Sequence, residues 1–148
     1  WPYFFALPYK LSDPGVIWSE PEKATLDGKE YLTAKLSFEN GVGDTPEDWY
    51  LLYINPQDYT LHATAYIVTY GKDKAEAEEE PHILVYGDYR SINGIPIAHS
   101  WTFYVWSEEE GLGQKLMEGV LSDVNFTQEV SASFFEAPAG SKVVPNEN

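Results

Sequence analysis

The chain has 148 residues, of which 43% are hydrophobic, and its 24 acidic and 9 basic residues give a net charge of −15. This length and apolar content predict a single globular domain, residues 1–148, with its own core. The charge argues against nucleic acid and against electrostatic docking to an anionic membrane, since both need a positive surface. The absence of cysteine excludes disulfides, thiolate zinc sites and cysteine nucleophiles.

Residues 1–15 are apolar and interrupted by Pro2, Pro8 and Pro14. Because proline removes a backbone donor and restricts the residue before it, we expect an irregular segment with no helix longer than one turn. Because this segment is so apolar, we expect either that upstream sequence has been removed or that the segment docks on another surface. No run approaches the roughly 20 apolar residues of a membrane-spanning helix. Any membrane contact is therefore expected through an upstream anchor alone.

The next part of the chain alternates apolar and polar residues with a period of two, which is typical of strands. Asp27-Gly28 and Asn93-Gly94 are strong hairpin signals. Strands are predicted over residues 16–24, 31–38, 49–55, 61–70, 82–90, 95–107 and 114–127. Short turns place neighbouring strands side by side. The predicted fold is all-β, a curved antiparallel β-meander that forms an incomplete β-barrel of about seven to eight strands.

Two of these strands carry further information about burial. In residues 31–38, Leu32, Leu36 and Phe38 share one face, so this strand is expected to bury that face only. In residues 49–55 both faces are apolar or aromatic, which predicts a central strand.

Two segments outside the strands are distinctive in composition. Residues 71–81, GKDKAEAEEEP, are acidic and of low complexity. We expect a mobile loop or a single exposed helical turn there, because the charge disfavours packing. Residues 137–148 are rich in proline and glycine and are predicted to form a flexible tail.

Several motifs together resemble a family of exported bacterial proteins and lipoproteins found largely in Bacteroidota. They are LPYKLSDPGV (7–16), GKEY (28–31), VGDTPEDWY (42–50) and YINP (53–56). With a closing FEAPAG (135–140), their order distantly resembles the superfamily of periplasmic lipoprotein carriers and outer-membrane lipoprotein receptors. The resemblance implies an incomplete β-barrel over an apolar cavity lidded by helices. It also implies export to the periplasm, the outer-membrane surface or the exterior, and it covers only the later part of a family member.

An acidic Gly/Pro loop precedes the central strand and contains Asp44, Glu47 and Asp48. Calcium is bound by several oxygens at such density. The alternative is a solvated turn in which Asp44 or Thr45 caps the backbone. The histidines form no close pair of the kind that zinc sites use; they are His62, His82 and His99. No serine lies in a Gly-x-Ser-x-Gly elbow, so we predict neither catalytic residues nor a cofactor.

Aromatic side chains are the strongest remaining clue to function. In a curved sheet, alternate aromatic residues would line the concave face and could hold a lipid chain or stack on a sugar. The alternative is that they form core and cross-strand pairs. The ligand-binding candidates are Trp49, Tyr53, Tyr66, Tyr86, Trp101 and Trp106.

Three hypotheses follow from the sequence. The first is a non-enzymatic exported bacterial protein that binds a lipid-like or apolar ligand on the concave face. The second is an assembly protein that forms homo-oligomers through its N-terminal segment or a sheet edge. The third is a carbohydrate-binding module.

Overall fold

A computed structural model describes residues 2–42, 45–126 and 129–142. One antiparallel sheet of eight strands dominates the fold. The elements in chain order are α1 (Pro2–Lys10), β1 (Val16–Trp18), β2 (Glu22–Leu26), β3 (Lys29–Phe38), β4 (Tyr50–Ile54), β5 (Leu61–Tyr66), α2 (Lys74–Glu79), β6 (His82–Ile92), β7 (Ile95–Ser107), β8 (Gly111–Val120) and a 3-10 turn, Ala132–Phe135.

The sheet is a meander, as predicted. From β3 to β8 each strand pairs with the next, while β1 and β2 lie one after the other along β3. The sheet is not closed into a barrel. The strand predicted over residues 16–24 is divided in two near Pro21, and Ser19 still donates its N–H to the Lys35 carbonyl at 2.9 Å. The strand predicted over residues 114–127 ends at Val120.

Two predicted hairpin turns form as expected. Asp27 and Gly28 have φ values of 49° and 73°, and Asn93 and Gly94 have 51° and 83°. Two consecutive residues with positive φ are the requirement of a type I′ turn, whose twist matches that of the strands it joins.

The prediction of an irregular N-terminal segment is wrong for Pro2–Lys10, which form α1. Pro2 stands at the start, where a missing backbone donor costs little. Pro8 lies inside the helix and removes the N–H that would reach the Phe4 carbonyl. That carbonyl instead accepts a hydrogen bond from the Tyr86 hydroxyl at 3.0 Å. The sheet therefore supplies the donor that Pro8 lacks.

The core has two parts because both faces of the sheet are covered. On the first, the helix-side face, α1 buries Leu7 to 1% exposure together with Leu52 and Leu84. On the second, which we call the groove face, Tyr53, Ile83 and other side chains form a separate cluster. The central β4 contributes to both clusters, as its alternation predicted.

Strand β3 is also buried on both faces. Tyr31 and Thr33 are 6% and 5% exposed, although the alternation predicted that only the Leu36 face would be buried. The reason is that the groove face has a core of its own, which takes in Tyr31.

Of the two expected alternatives, a mobile loop or a single exposed helical turn, the acidic segment forms the helical one, α2. The Asp73 carboxylate accepts a hydrogen bond from the Glu76 N–H at 2.9 Å and so caps the helix. Ala77 is 4% exposed and packs on the groove face. The expectation that this segment is unpacked is therefore wrong at Ala77, the small residue among the charged ones.

The C-terminal part carries little regular structure. Residues 137–142 are exposed and belong to no helix or strand, and residues 143–148 of the predicted tail lie outside the described part. None of the described helices has the length and hydropathy to cross a membrane.

Candidate functional site: a glutamate-rimmed groove

The six aromatic candidates do not lie on one face. Trp49, Tyr53 and Trp106 belong to the groove face. The other three lie beneath α1 on the helix-side face; they are Tyr66, Tyr86 and Trp101. All six are buried, with exposures between 4% and 9%. The structure thus divides the predicted ligand-binding set, and the rings act largely as core.

The helix-side face is closed by aromatic packing. The Phe4 ring lies 4.7 Å from Tyr66 and 6.1 Å from Phe103 between centroids. Burial raises the pKa of Tyr66 to about 12. It also raises the pKa of Tyr3 to about 12, with a further contribution from the charges of nearby aspartates. A cavity of about 550 Å³ remains beside α1, and its other lining residues include Phe38, Tyr50 and Val68.

The loop proposed for calcium is organised by hydrogen bonds of the Asp48 side chain. Its Oδ1 accepts from both the N–H and the hydroxyl of Thr69 at 2.7 Å, and its Oδ2 accepts from the Thr45 hydroxyl at 2.8 Å. Asp48 is 4% exposed and ties the start of β4 to the segment after β5. Glu47 is exposed, and Asp44 lies outside the described residues. Within the described ranges no three acidic or histidine side chains are grouped to hold a metal ion.

A groove of about 960 Å³ opens on the groove face, lined by the β1–β2 connection, by β2, β3 and β4, by α2 and the start of β6, and by β7 and β8. Its apolar lining is made of Ala34, Trp49, Leu51, Pro81, Val105, Trp106 and Leu116. Six glutamates also line it, and they are Glu20, Glu22, Glu78, Glu79, Glu80 and Glu108. Lys35 is the single lysine or arginine among the lining residues, which also include His82. We call this feature the glutamate-rimmed groove.

Trp49 is held in the wall of this groove by three contacts. Its indole N–H donates to Glu78 Oε1 at 3.2 Å. Its ring meets that of Trp106 edge-on, with 6.3 Å between centroids and 68° between planes. The Lys35 ammonium lies 4.3 Å from its ring centroid, within the range of a cation–π contact. The orientation of the Trp49 ring is therefore fixed, and the exposed Lys35 side chain covers one face of the ring.

The Lys35 backbone is anchored although its side chain is exposed. The Ser19 hydroxyl accepts from the Lys35 N–H at 2.9 Å, and Ser19 donates its own N–H to the Lys35 carbonyl. In the β3–β4 register, Lys35 lies opposite Leu51. The ammonium is thus placed above the apolar floor by the sheet itself.

Sequence reasoning identified Trp49 and Trp106 but missed their partners. Period-two alternation places Lys35 on the face of residues 31–38 that was expected to be solvated, and Glu78 is one acid in an acidic run. The available signal was the cross-strand pairing of residues 31–38 with 49–55, which predicts that Lys35 lies near the aromatic start of the next strand.

The fold and the groove define the class of this protein as an open antiparallel β-meander with a helix on one face and a groove on the other. The chain belongs to the family of unknown function DUF6503, whose model matches residues 1–116. This range extends from α1 into β8 and includes Lys35, Trp49, Glu78 and Trp106. No curated protein and no solved structure matches the chain.

Proposed function

We propose that this chain is a non-enzymatic binding protein whose glutamate-rimmed groove holds a lipid-like, amphipathic ligand. The observation that supports this proposal most directly is solvent-exposed apolar surface inside the groove. Leu116 lines the groove and is 48% exposed, on the strand that pairs with the strand of the buried Trp106. Exposed apolar surface of this kind in a concavity is typical of a ligand site.

The size and lining of the groove support this proposal. About 960 Å³ lies within the usual range of small-molecule sites, roughly 300–1,000 Å³. The floor offers hydrocarbon and indole surface, which favours apolar contact. On the opposite face α1 lies where the resemblance implied a helical lid, and its side chains pack directly on the sheet, so the groove face is favoured.

Binding of a neutral apolar fluorophore tests this proposal. N-phenyl-1-naphthylamine should brighten on titration with the protein, because it leaves water for the groove floor. Leu116→Gln should weaken this binding several-fold, since it places an amide in the floor. The matched control is Met117→Gln, because Met117 is the neighbouring β8 residue, is similarly exposed at 44%, and is absent from the groove lining. Absence of binding, or equal losses in the two variants, would contradict the proposal.

We also propose, from the motif resemblance, that the protein acts outside the cytoplasm. Fractionation of cells that express the natural gene, followed by immunodetection, tests this. Recovery of the protein with cytosolic markers would contradict it.

Assembly through a sheet edge is a second candidate function. Strand β8 forms one edge of the sheet and exposes Met117 at 44% and Val120 at 79%. Edge strands of this kind pair readily with another chain. Sedimentation velocity should then show a dimer whose population increases with concentration, whereas a monomer at every concentration up to about 100 μM would remove this candidate.

A further inference from the structure

We propose that the ligand of the glutamate-rimmed groove is a single-chain amphiphile with a positively charged ammonium headgroup, which replaces the Lys35 ammonium over the ring of Trp49. This inference rests on the proposed function, because it names the chemical class of ligand for the same groove.

The charge of the groove favours a cation. Six glutamates line the groove, whereas Lys35 is its single lysine or arginine. Glu80 forms an ion pair with Lys72 at 3.8 Å. The other five glutamates form no ion pair with any residue of the described ranges. Like charges along a concave surface with apolar walls create a local negative potential, which attracts and concentrates cations.

The ring of Trp49 is the position at which a cation would bind. Tryptophan has the strongest cation–π attraction of the aromatic side chains, and it acts within about 6 Å of the centroid. The Lys35 ammonium at 4.3 Å shows that the ring face accepts a positive charge. Because Glu78 accepts the indole N–H, its carboxylate polarises the ring toward higher electron density, which strengthens this attraction.

The Lys35 side chain can leave the ring face of Trp49 when a ligand binds. Its backbone is held by Ser19, whereas its side chain is exposed and makes no ion pair with the described residues. When a ligand ammonium enters, the lysine side chain can rotate outward and remain solvated among the glutamates. The alkyl chain of the ligand then lies over Leu51 and Leu116, which belong to the apolar lining of the groove.

Isothermal titration of the whole chain with three dodecyl amphiphiles, each below its critical micelle concentration, tests the headgroup. Dodecyltrimethylammonium is cationic, dodecyl maltoside is neutral and dodecyl sulfate is anionic. The cationic compound should bind about tenfold more tightly than the neutral one, and the anionic compound should bind most weakly. Added salt should reduce the preference, because the attraction of exposed charges is screened.

Two substitutions test the position. Lys35→Met keeps an unbranched stem but removes the competing ammonium, so the cationic compound should bind several-fold more tightly. Lys23→Met is the matched control, because it makes the same change in net charge at a β2 residue outside the groove lining, where Lys23 pairs with Glu30. Glu78→Gln should weaken cationic binding several-fold while neutral binding is unchanged.

The outcomes separate the two proposals. If the neutral and cationic compounds bind equally, or if Lys35→Met behaves as Lys23→Met does, the ammonium assignment is overturned while a lipid-binding groove stands. If none of the three compounds binds, the proposed function fails as well. Thermal melting of each variant identifies any loss of folding, and Glu78→Gln provides the decisive comparison if Lys35→Met is unstable.

Discussion

Removing the Tyr86 hydroxyl should destabilise the protein through α1, because Pro8 leaves the Phe4 carbonyl dependent on it. The Tyr86 hydroxyl donates to that carbonyl at 3.0 Å. In Tyr86→Phe the carbonyl lies in a part-buried site without a donor, which typically costs about 1–3 kcal/mol. For a chain of 148 residues this corresponds to a decrease in melting temperature of about 3–9 °C.

The double variant isolates the role of Pro8. Pro8→Ala restores a backbone N–H four residues after Phe4, so the helix itself can satisfy the carbonyl. In that background Tyr86→Phe should cost about 1 kcal/mol less than in the wild type. Any other contact of the Tyr86 hydroxyl is lost equally in both backgrounds and cancels in the difference.

Urea unfolding of the four proteins, followed by circular dichroism, measures this coupling free energy. Equal costs of Tyr86→Phe in the two backgrounds would refute the argument that the sheet supplies the donor missing at Pro8. A cost near zero in the wild type would refute it as well.

Three further predictions concern other described contacts. Asp48→Asn should lower the free energy of unfolding by about 1–3 kcal/mol, because an amide cannot accept all the hydrogen bonds that the carboxylate accepts. Glu47 is exposed, so Glu47→Gln should change the free energy of unfolding by less than about 0.5 kcal/mol. Chemical denaturation measures both changes. Burial lowers the pKa of His62 below its usual 6.5. On acidification the unfolded chain therefore binds a proton at His62 before the folded chain does, and stability present above pH 6.5 should be lost. This loss should be smaller in His62→Gln. Urea unfolding at a series of pH values below 6.5 measures the difference. Burial raises the pKa of Tyr66 from 10.0 to about 12, so its stability contribution should be present below pH 10 and be lost as the pH approaches 12. Tyr66→Phe should flatten this alkaline loss in thermal melts, and an unchanged profile would contradict the prediction.

The sheet could be predicted from local signals. The type I′ turn at Asn93-Gly94 and the period-two alternation around it depend on residues close in sequence, so the hairpins and their order followed from the chain itself. Helix α1 could not be predicted in the same way. The free-energy cost of placing Pro8 inside a helix depends on the hydrogen bond from Tyr86 to the Phe4 carbonyl. That bond joins residues 82 positions apart in the sequence.

The groove was harder to predict than the fold. Alternation around Trp49 indicated that both faces of β4 are apolar, but it contains no information about what covers each face. Lys35, Trp49 and Glu78 come from three separate segments and meet only after β3, β4 and α2 have packed. Their contact is therefore a tertiary property that single-sequence patterns do not record.

The indole N–H resonances of the five tryptophans, observed by ¹⁵N–¹H correlation spectroscopy, test the central claim most directly. Trp49→Phe assigns the signal of Trp49, and Trp101→Phe assigns that of Trp101, whose indole N–H donates to the Ala98 carbonyl beneath α1. On titration with dodecyltrimethylammonium we expect the Trp49 signal to shift in a saturable way while the Trp101 signal stays in place. A Trp49 signal that does not move, or equal shifts of both signals, would contradict binding in the glutamate-rimmed groove.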